Sequence, residues 1–88
     1  MNLVAMIGII DKITPSDKMT EITLKVEKPF FDSKGYEDYF EVINVYISNH
    51  LFSQEVKRLT NGSLIGFKGR VKTDEGLLKI IVEKIQVF

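Results

Sequence analysis

The stretch Thr60–Gly76, TNGSLIGFKGRVKTDEG, decides how this chain folds. It holds four of the six glycines in the 88-residue sequence, yet the residues between them alternate as in a β-strand, with Ile65, Phe67 and Val71 against Lys68, Arg70 and Lys72. A glycine inside a strand gives up a side chain that would pack. It therefore marks a bulge, a bend at a barrel corner, or a place where another backbone or a ligand comes close. Gly66 and Gly69 are expected to let this strand curl hard enough to close a small barrel, with Gly62 and Gly76 at its two ends.

Working outward, Asp74-Glu75-Gly76 reads as a tight hairpin connection, and Leu77 to Phe88 as the final strand. On the other side the period changes to that of a helix: Leu51, Phe52, Val56 and Leu59 share one face, Gln54, Glu55, Lys57 and Arg58 the other, and Asn61-Gly62 supplies the stop. Tyr39 to Ser48 reads as a strand with Ile43, Val45 and Ile47 on one side and Phe40, Val42, Asn44 and Tyr46 on the other. Glu21 to Lys28 alternates strictly, Ile22, Leu24 and Val26 facing one way, until Pro29 stops it. Leu3 to Ile10 is a continuous apolar run, as expected of a strand covered on both faces, and Thr14-Pro15-Ser16-Asp17 is the turn after it.

The predicted order is three strands, one helix plugging a barrel, and two strands. That is the order of an OB-fold, a five-stranded Greek-key barrel in the all-β class. Residues 1–88 are expected to form one such domain. A parallel α/β architecture is excluded because the chain offers a single helical segment.

Hydrophobic residues make up 44% of the sequence and charged residues 27%, which suits a soluble globular chain. Twelve basic residues balance twelve acidic ones, so any attraction for nucleic acid must come from a local patch rather than a global field. The absence of cysteine removes disulfides and thiolate chemistry and suits a reducing cytoplasm. The apolar opening, cut off by Asp11 and Lys12, falls far short of a bilayer span, so no membrane association is expected.

Met1-Asn2-Leu3-Val4 with Ile7-Gly8, Phe40 to Tyr46, Leu59 with Asn61-Gly62-Ser63-Leu64, Gly69-Arg70-Val71, and Val82-Glu83-Lys84-Ile85 to Phe88 together resemble, in order, the bacterial single-stranded DNA-binding protein family. The resemblance spans nearly the whole chain. It implies binding of single-stranded DNA without sequence preference, in replication, recombination or repair, with bases stacked on aromatic rings and basic residues following the phosphates. The family's stacking positions fall on Phe30, Phe40 and Tyr46. Relative to that family the chain has no tryptophan, a connection between its last two strands of only about Asp74 to Gly76, and no acidic tail after Phe88. These departures fit a shortened relative.

Lys68, Arg70 and Lys72 alternate along the fourth strand, and Lys79 follows across the hairpin; from Lys68 to Lys84 five basic residues face three acidic ones. Such a line is suited to tracking a phosphate backbone. Lys25 and Lys28 join this candidate set. The doubly apolar first strand, Leu3, Val4, Ala5, Met6 and Ile7, is the expected seam of a homo-dimer or homo-tetramer. His50 is the only histidine and lacks the partners a catalytic base or a metal needs, and no phosphate-loop, zinc or dinucleotide motif occurs. No catalysis, cofactor or metal is expected. Two readings remain: a single-stranded DNA binder with replication proteins as further partners, and an interaction adaptor similar to primosomal replication protein B, whose surface aromatics hold a protein.

Overall fold

A computed structural model describes residues 2–27 and 40–88 of the chain. They form β1 (Val4–Pro15), β2 (Met19–Glu27), β3 (Phe40–Ser48), α1 (Ser53–Lys57), β4 (Leu64–Asp74) and β5 (Leu77–Val87). The strands close into a barrel in the order β1-β2-β3-β5-β4, so the fold is an all-β OB-fold barrel with its helix between β3 and β4. All neighbours are antiparallel except β3 and β5, which meet in parallel at Val45 opposite Ile80 and Tyr46 opposite Ile81.

The alternation seen in β2 and β3 sets the core. Ile22, Leu24, Val45 and Ile47 point inward and meet Ile10, Ile65, Phe67, Val82 and Leu59, all buried. Burying such side chains contributes roughly 1.5–3 kcal/mol each before the entropy cost of ordering the chain. Thr20 is also buried; its hydroxyl donates to Asn49 Oδ1 at 2.6 Å, and Asn49 Nδ2 donates to Ser16 O at 2.7 Å, so the β1–β2 turn is tied to the end of β3.

β1 is long enough to serve two partners. Its first half, Val4 to Ile9, pairs with β4, and its second half, from Ile9, pairs with β2, the register shifting between Ile10 and Lys12 so that Asp11 is an extra residue. A second shift lies opposite Lys68 and Gly69, where Glu83 is the extra residue on β5. Each bulge bends its strand and adds twist, which a small barrel needs to close.

Gly69 lies at that second bulge for a reason of space. A Cβ there would sit 2.1 Å from the carbonyl oxygen of Ile81, so no other residue fits without moving the backbone. Gly66 differs: a Cβ would stand 3.3 Å from Phe88 Cε2, so this glycine leaves room for the last aromatic ring to lie on the strand. At the hairpin, Glu75 (φ 51) and Gly76 (φ 79) both take left-handed backbone and form a two-residue turn that closes the pair Asp74 and Leu77.

Two expectations are corrected. The helix is five residues, Ser53–Lys57, rather than Leu51 to Leu59, and Leu51 is 75% exposed. Phe52 and Val56 hold α1 against the core, while Leu59 reaches the core after the helix has ended at Arg58. Gly62 consequently does not cap the helix; it lies in the next turn, where its N–H donates to Ile10 O at 2.7 Å. The first strand also divides by parity: Val4 and Met6 pack toward the core, and only Leu3, Ala5 and Ile7 of the expected seam look outward, with Ile9. A run apolar at every position hides which half faces in.

Candidate nucleic-acid interface

Outward positions of four strands line up in one row across the barrel. Glu21 of β2 stands opposite Tyr46 of β3, Tyr46 opposite Ile81 of β5, and Ile81 opposite Arg70 of β4. Strand pleating places Tyr46 here, because its neighbours Val45 and Ile47 are completely buried on the other face. The next rung on β4 and β5 is Lys72 opposite Lys79.

Tyr46 is half-buried and held from both sides. Its hydroxyl donates to Glu21 Oε2 at 2.6 Å, and the Lys79 ammonium lies over the ring, 5.0 Å from its centroid. The hydrogen bond to Glu21 raises the phenol above its ordinary range, helped by burial and by the Glu21 charge, with Lys79 opposing. Lys79 Nζ in turn contacts Asp74 Oδ2 at 3.0 Å, a bond that raises the ammonium above the usual lysine range.

Toward the other end of the face, Val42 of β3 stands opposite Lys25 and Phe40 opposite Glu27. Phe40 is 46% exposed. Six residues separate it from Tyr46, about 20 Å along an extended strand. Phe30 and Lys28 lie outside the described residues.

Among the described residues, three of the candidate cations are paired with carboxylates: Lys25 with Asp11 at 3.4 Å, Arg70 with Glu83 at 3.4 Å, and Lys79 with Asp74. Two of those carboxylates are the extra residues of the two bulges. Lys68 and Lys72 make no ion pair among the described residues. Lys68 stands apart from the others, opposite Ala5 on β1 and Lys84 on β5, because the register shift after it separates its row from that of Arg70. Tyr46, Arg70, Lys72 and Lys79 are thus brought together, Lys25 and Phe40 share the face at a distance, and Lys68 belongs to a neighbouring region.

Sequence reasoning missed Glu21 and Asp74 as the groups that fix Tyr46 and Lys79. The only available signal was parity: Glu21 sits at an outward position of its strand, but its partner follows from register, which one strand does not encode. Among the described residues no cluster of three or more His, Cys, Asp or Glu is placed to hold a metal ion, and no helix is long and apolar enough to cross a membrane.

The barrel order and the helix position define the class, an OB-fold domain. No family model matches the chain, and no curated protein matches it. Solved structures do. The chain is similar to the dimeric N-terminal domain of PriB protein from Thermoanaerobacter tencongensis, at 20% identity and a TM-score of 0.72, covering 99% of this chain and 96% of that one. It is similar to a small single-stranded DNA-binding protein from Mycoplasma pneumoniae at 20% identity and 0.69, covering 98% and 92%. A mitochondrial single-stranded DNA-binding protein from S. cerevisiae aligns at 13% identity and 0.71, covering 97% and 91%. At such identities the likeness establishes a shared fold.

Proposed function

We propose that the chain binds single-stranded DNA without sequence preference, across the outer face of β2, β3, β5 and β4, and without a catalytic step. The observation that carries this reading is Tyr46: an aromatic ring at an outward position in the middle of the sheet, flanked by Lys79, Lys72 and Arg70. A base stacks on such a ring whatever its identity, and cations beside it take the phosphates. The relatives of the same fold from Mycoplasma pneumoniae and yeast mitochondria, both single-stranded DNA-binding proteins, support it. Phe40 and Lys25 extend the same track. A homo-oligomer built on the outward residues Leu3, Ala5 and Ile7 would lengthen a short groove, and the dimeric PriB domain supports that assembly. The role that follows is in DNA replication, recombination or repair.

A second reading is favoured by one specific observation. Lys25, Arg70 and Lys79 already face carboxylates, which lowers the field available to a phosphate. On that reading the aromatic face holds a protein partner, as in an adaptor similar to primosomal replication protein B.

Anisotropy of a labelled oligo-dT strand over a salt series separates the two. A DNA-binding face gives a slope of log affinity against log salt of about −0.7 for each phosphate neutralised. Tyr46→Ala then weakens binding by about 5- to 150-fold, the value of one stacked base. Binding that is absent at low salt, or indifferent to Tyr46→Ala, rejects the reading in favour of the adaptor.

A further inference from the structure

We propose that Lys79 and Asp74 form a latch over the Tyr46 platform, which an arriving single strand must open. The inference rests on the reading that Tyr46 stacks a base. The Lys79 ammonium lies over the ring, 5.0 Å from its centroid. A stacked base needs the same space, since its atoms must come within about 3.5–4 Å of the ring carbons. On that face of the ring the two occupants exclude each other.

Three neighbours hold the latch shut. Asp74 is the diagonal cross-strand neighbour of Lys79, close enough for their side chains to meet, and its carboxylate takes the ammonium at 3.0 Å. Lys72 stands directly opposite Lys79, and like charges in that position repel, which turns the ammonium away from Lys72 toward Asp74 and the ring. Glu21 anchors the Tyr46 hydroxyl from the other side, so the ring does not swing out from beneath it. The lysine side chain is 28% exposed against 50% for the aspartate, as expected if its stem lies down on the sheet rather than reaching into water. The turn at Glu75-Gly76 pins Asp74 at the last rung of the hairpin, so the carboxylate is placed by the backbone.

Opening the latch exchanges partners. The base takes the ring face, a phosphate takes the ammonium, and Asp74 is left to the solvent with a counterion. That counterion is taken up as the phosphate releases one of its own, so Lys79 adds little to the salt dependence while Asp74 is present.

The test is oligo-dT anisotropy across a salt series with wild type, Asp74→Asn, Glu75→Gln, Tyr46→Ala and the double variant Asp74→Asn/Tyr46→Ala, each checked for an unchanged melting profile. Asp74→Asn is expected to bind about 1.5- to 5-fold tighter, the range of one exposed ion pair. Its salt slope is expected to steepen by about 0.7, one more phosphate neutralised at full effect. Glu75→Gln removes the same charge one residue away and should gain less, and in the Tyr46→Ala background the Asp74→Asn gain should shrink to the part that comes from the freed ammonium meeting a phosphate. If wild type binds and Tyr46→Ala weakens it, yet Asp74→Asn gains no more than Glu75→Gln or keeps its full gain without Tyr46, the latch is overturned and the stacking reading stands. If wild type fails to bind, or Tyr46→Ala changes nothing, the stacking reading falls and the latch falls with it.

Discussion

The barrel has two outer surfaces that obey the same pleating and share almost nothing else. Along the first half of β1 with Leu3 just before it, and the start of β4, the outward residues include Leu3, Ala5, Ile7, Ile9 and Leu64, joined by Phe88 lying over Gly66; Leu3, Ile7 and Phe88 are each 61% exposed. Along β2, β3, β5 and the second half of β4 the outward residues include Glu21, Thr23, Asn44, Tyr46, Lys79, Arg70 and Lys72, several of them bonded to one another, with Ile81, Val42, Lys25 and Phe40 on the same face. On the second surface Glu21, Lys79 and Asp74 hold one ring in place, while Thr23 with Asn44 and Arg70 with Glu83 form separate pairs. The first is mostly apolar among the described residues, with Lys68 and Lys84 beside it. The bulge at Gly69 and Glu83 is the boundary between them, since Lys68 looks out beside Ala5 on one side of it and Arg70 beside Ile81 on the other.

The strongest way to break the comparison is to break that boundary. Gly69→Ala puts a methyl 2.1 Å from Ile81 O and should cost about 3 kcal/mol or more, lowering Tm by more than about 10 °C in a thermal melt. A melt within a degree or two of wild type would show that the bulge is not fixed by Gly69. Next in size, Ile7→Glu should weaken self-association by about 30-fold or more, as at a buried hot spot, while leaving Tm nearly unchanged. Light scattering against concentration reads it, and an unaltered mass would place the subunit contact elsewhere. Smaller still, Lys72→Gln on the polar surface should reduce the magnitude of the oligo-dT salt slope by about 0.7, whereas Lys84→Gln beside the apolar surface should leave it alone. Equal effects would dissolve the distinction between the two surfaces.

The smallest effect is a pH dependence confined to the polar surface. The Tyr46 phenol is raised by its bond to Glu21, so folding favours its protonated form. The associated stability is fully present below the ordinary tyrosine range and is lost as pH rises past it and Tyr46 ionises beside the Glu21 carboxylate. The Tm difference between wild type and Tyr46→Phe should therefore be constant near neutrality and shrink in strong base. A difference that grows there would contradict the sign.

Alternation makes most of the barrel readable from residues alone: Ile22 and Leu24 in β2, Val45 and Ile47 in β3, and Ile65 and Phe67 in β4 all face the core as their spacing predicts. The glycines of β4 are readable as trouble spots but not as to kind, because Gly69 answers to the Ile81 carbonyl on another strand and Gly66 to the Phe88 ring. Both bulges escape a reading of single strands, since an extra residue exists only relative to a partner. That is also why the carboxylates paired with Lys25 and Arg70 were invisible: Asp11 and Glu83 are placed by the bulges. The inward setting of Val4 and Met6 is not legible in the sequence because every position around them is apolar. In the candidate site, the outward setting of Phe40 and Tyr46 followed from parity; the contacts that hold Tyr46 did not.

The closure of the barrel adds one mechanical point. β3 and β5 meet over two residue pairs, Val45 with Ile80 and Tyr46 with Ile81, far fewer than any other neighbouring strands share. The staves of this cask are therefore joined most thinly beneath the ring itself, and with the fewest pairs to break that join is where opening of the wall is expected to start. A ligand lying across it would act as a hoop, so slowed hydrogen exchange at Tyr46 and Ile81 would register occupancy even where no side chain changes its place.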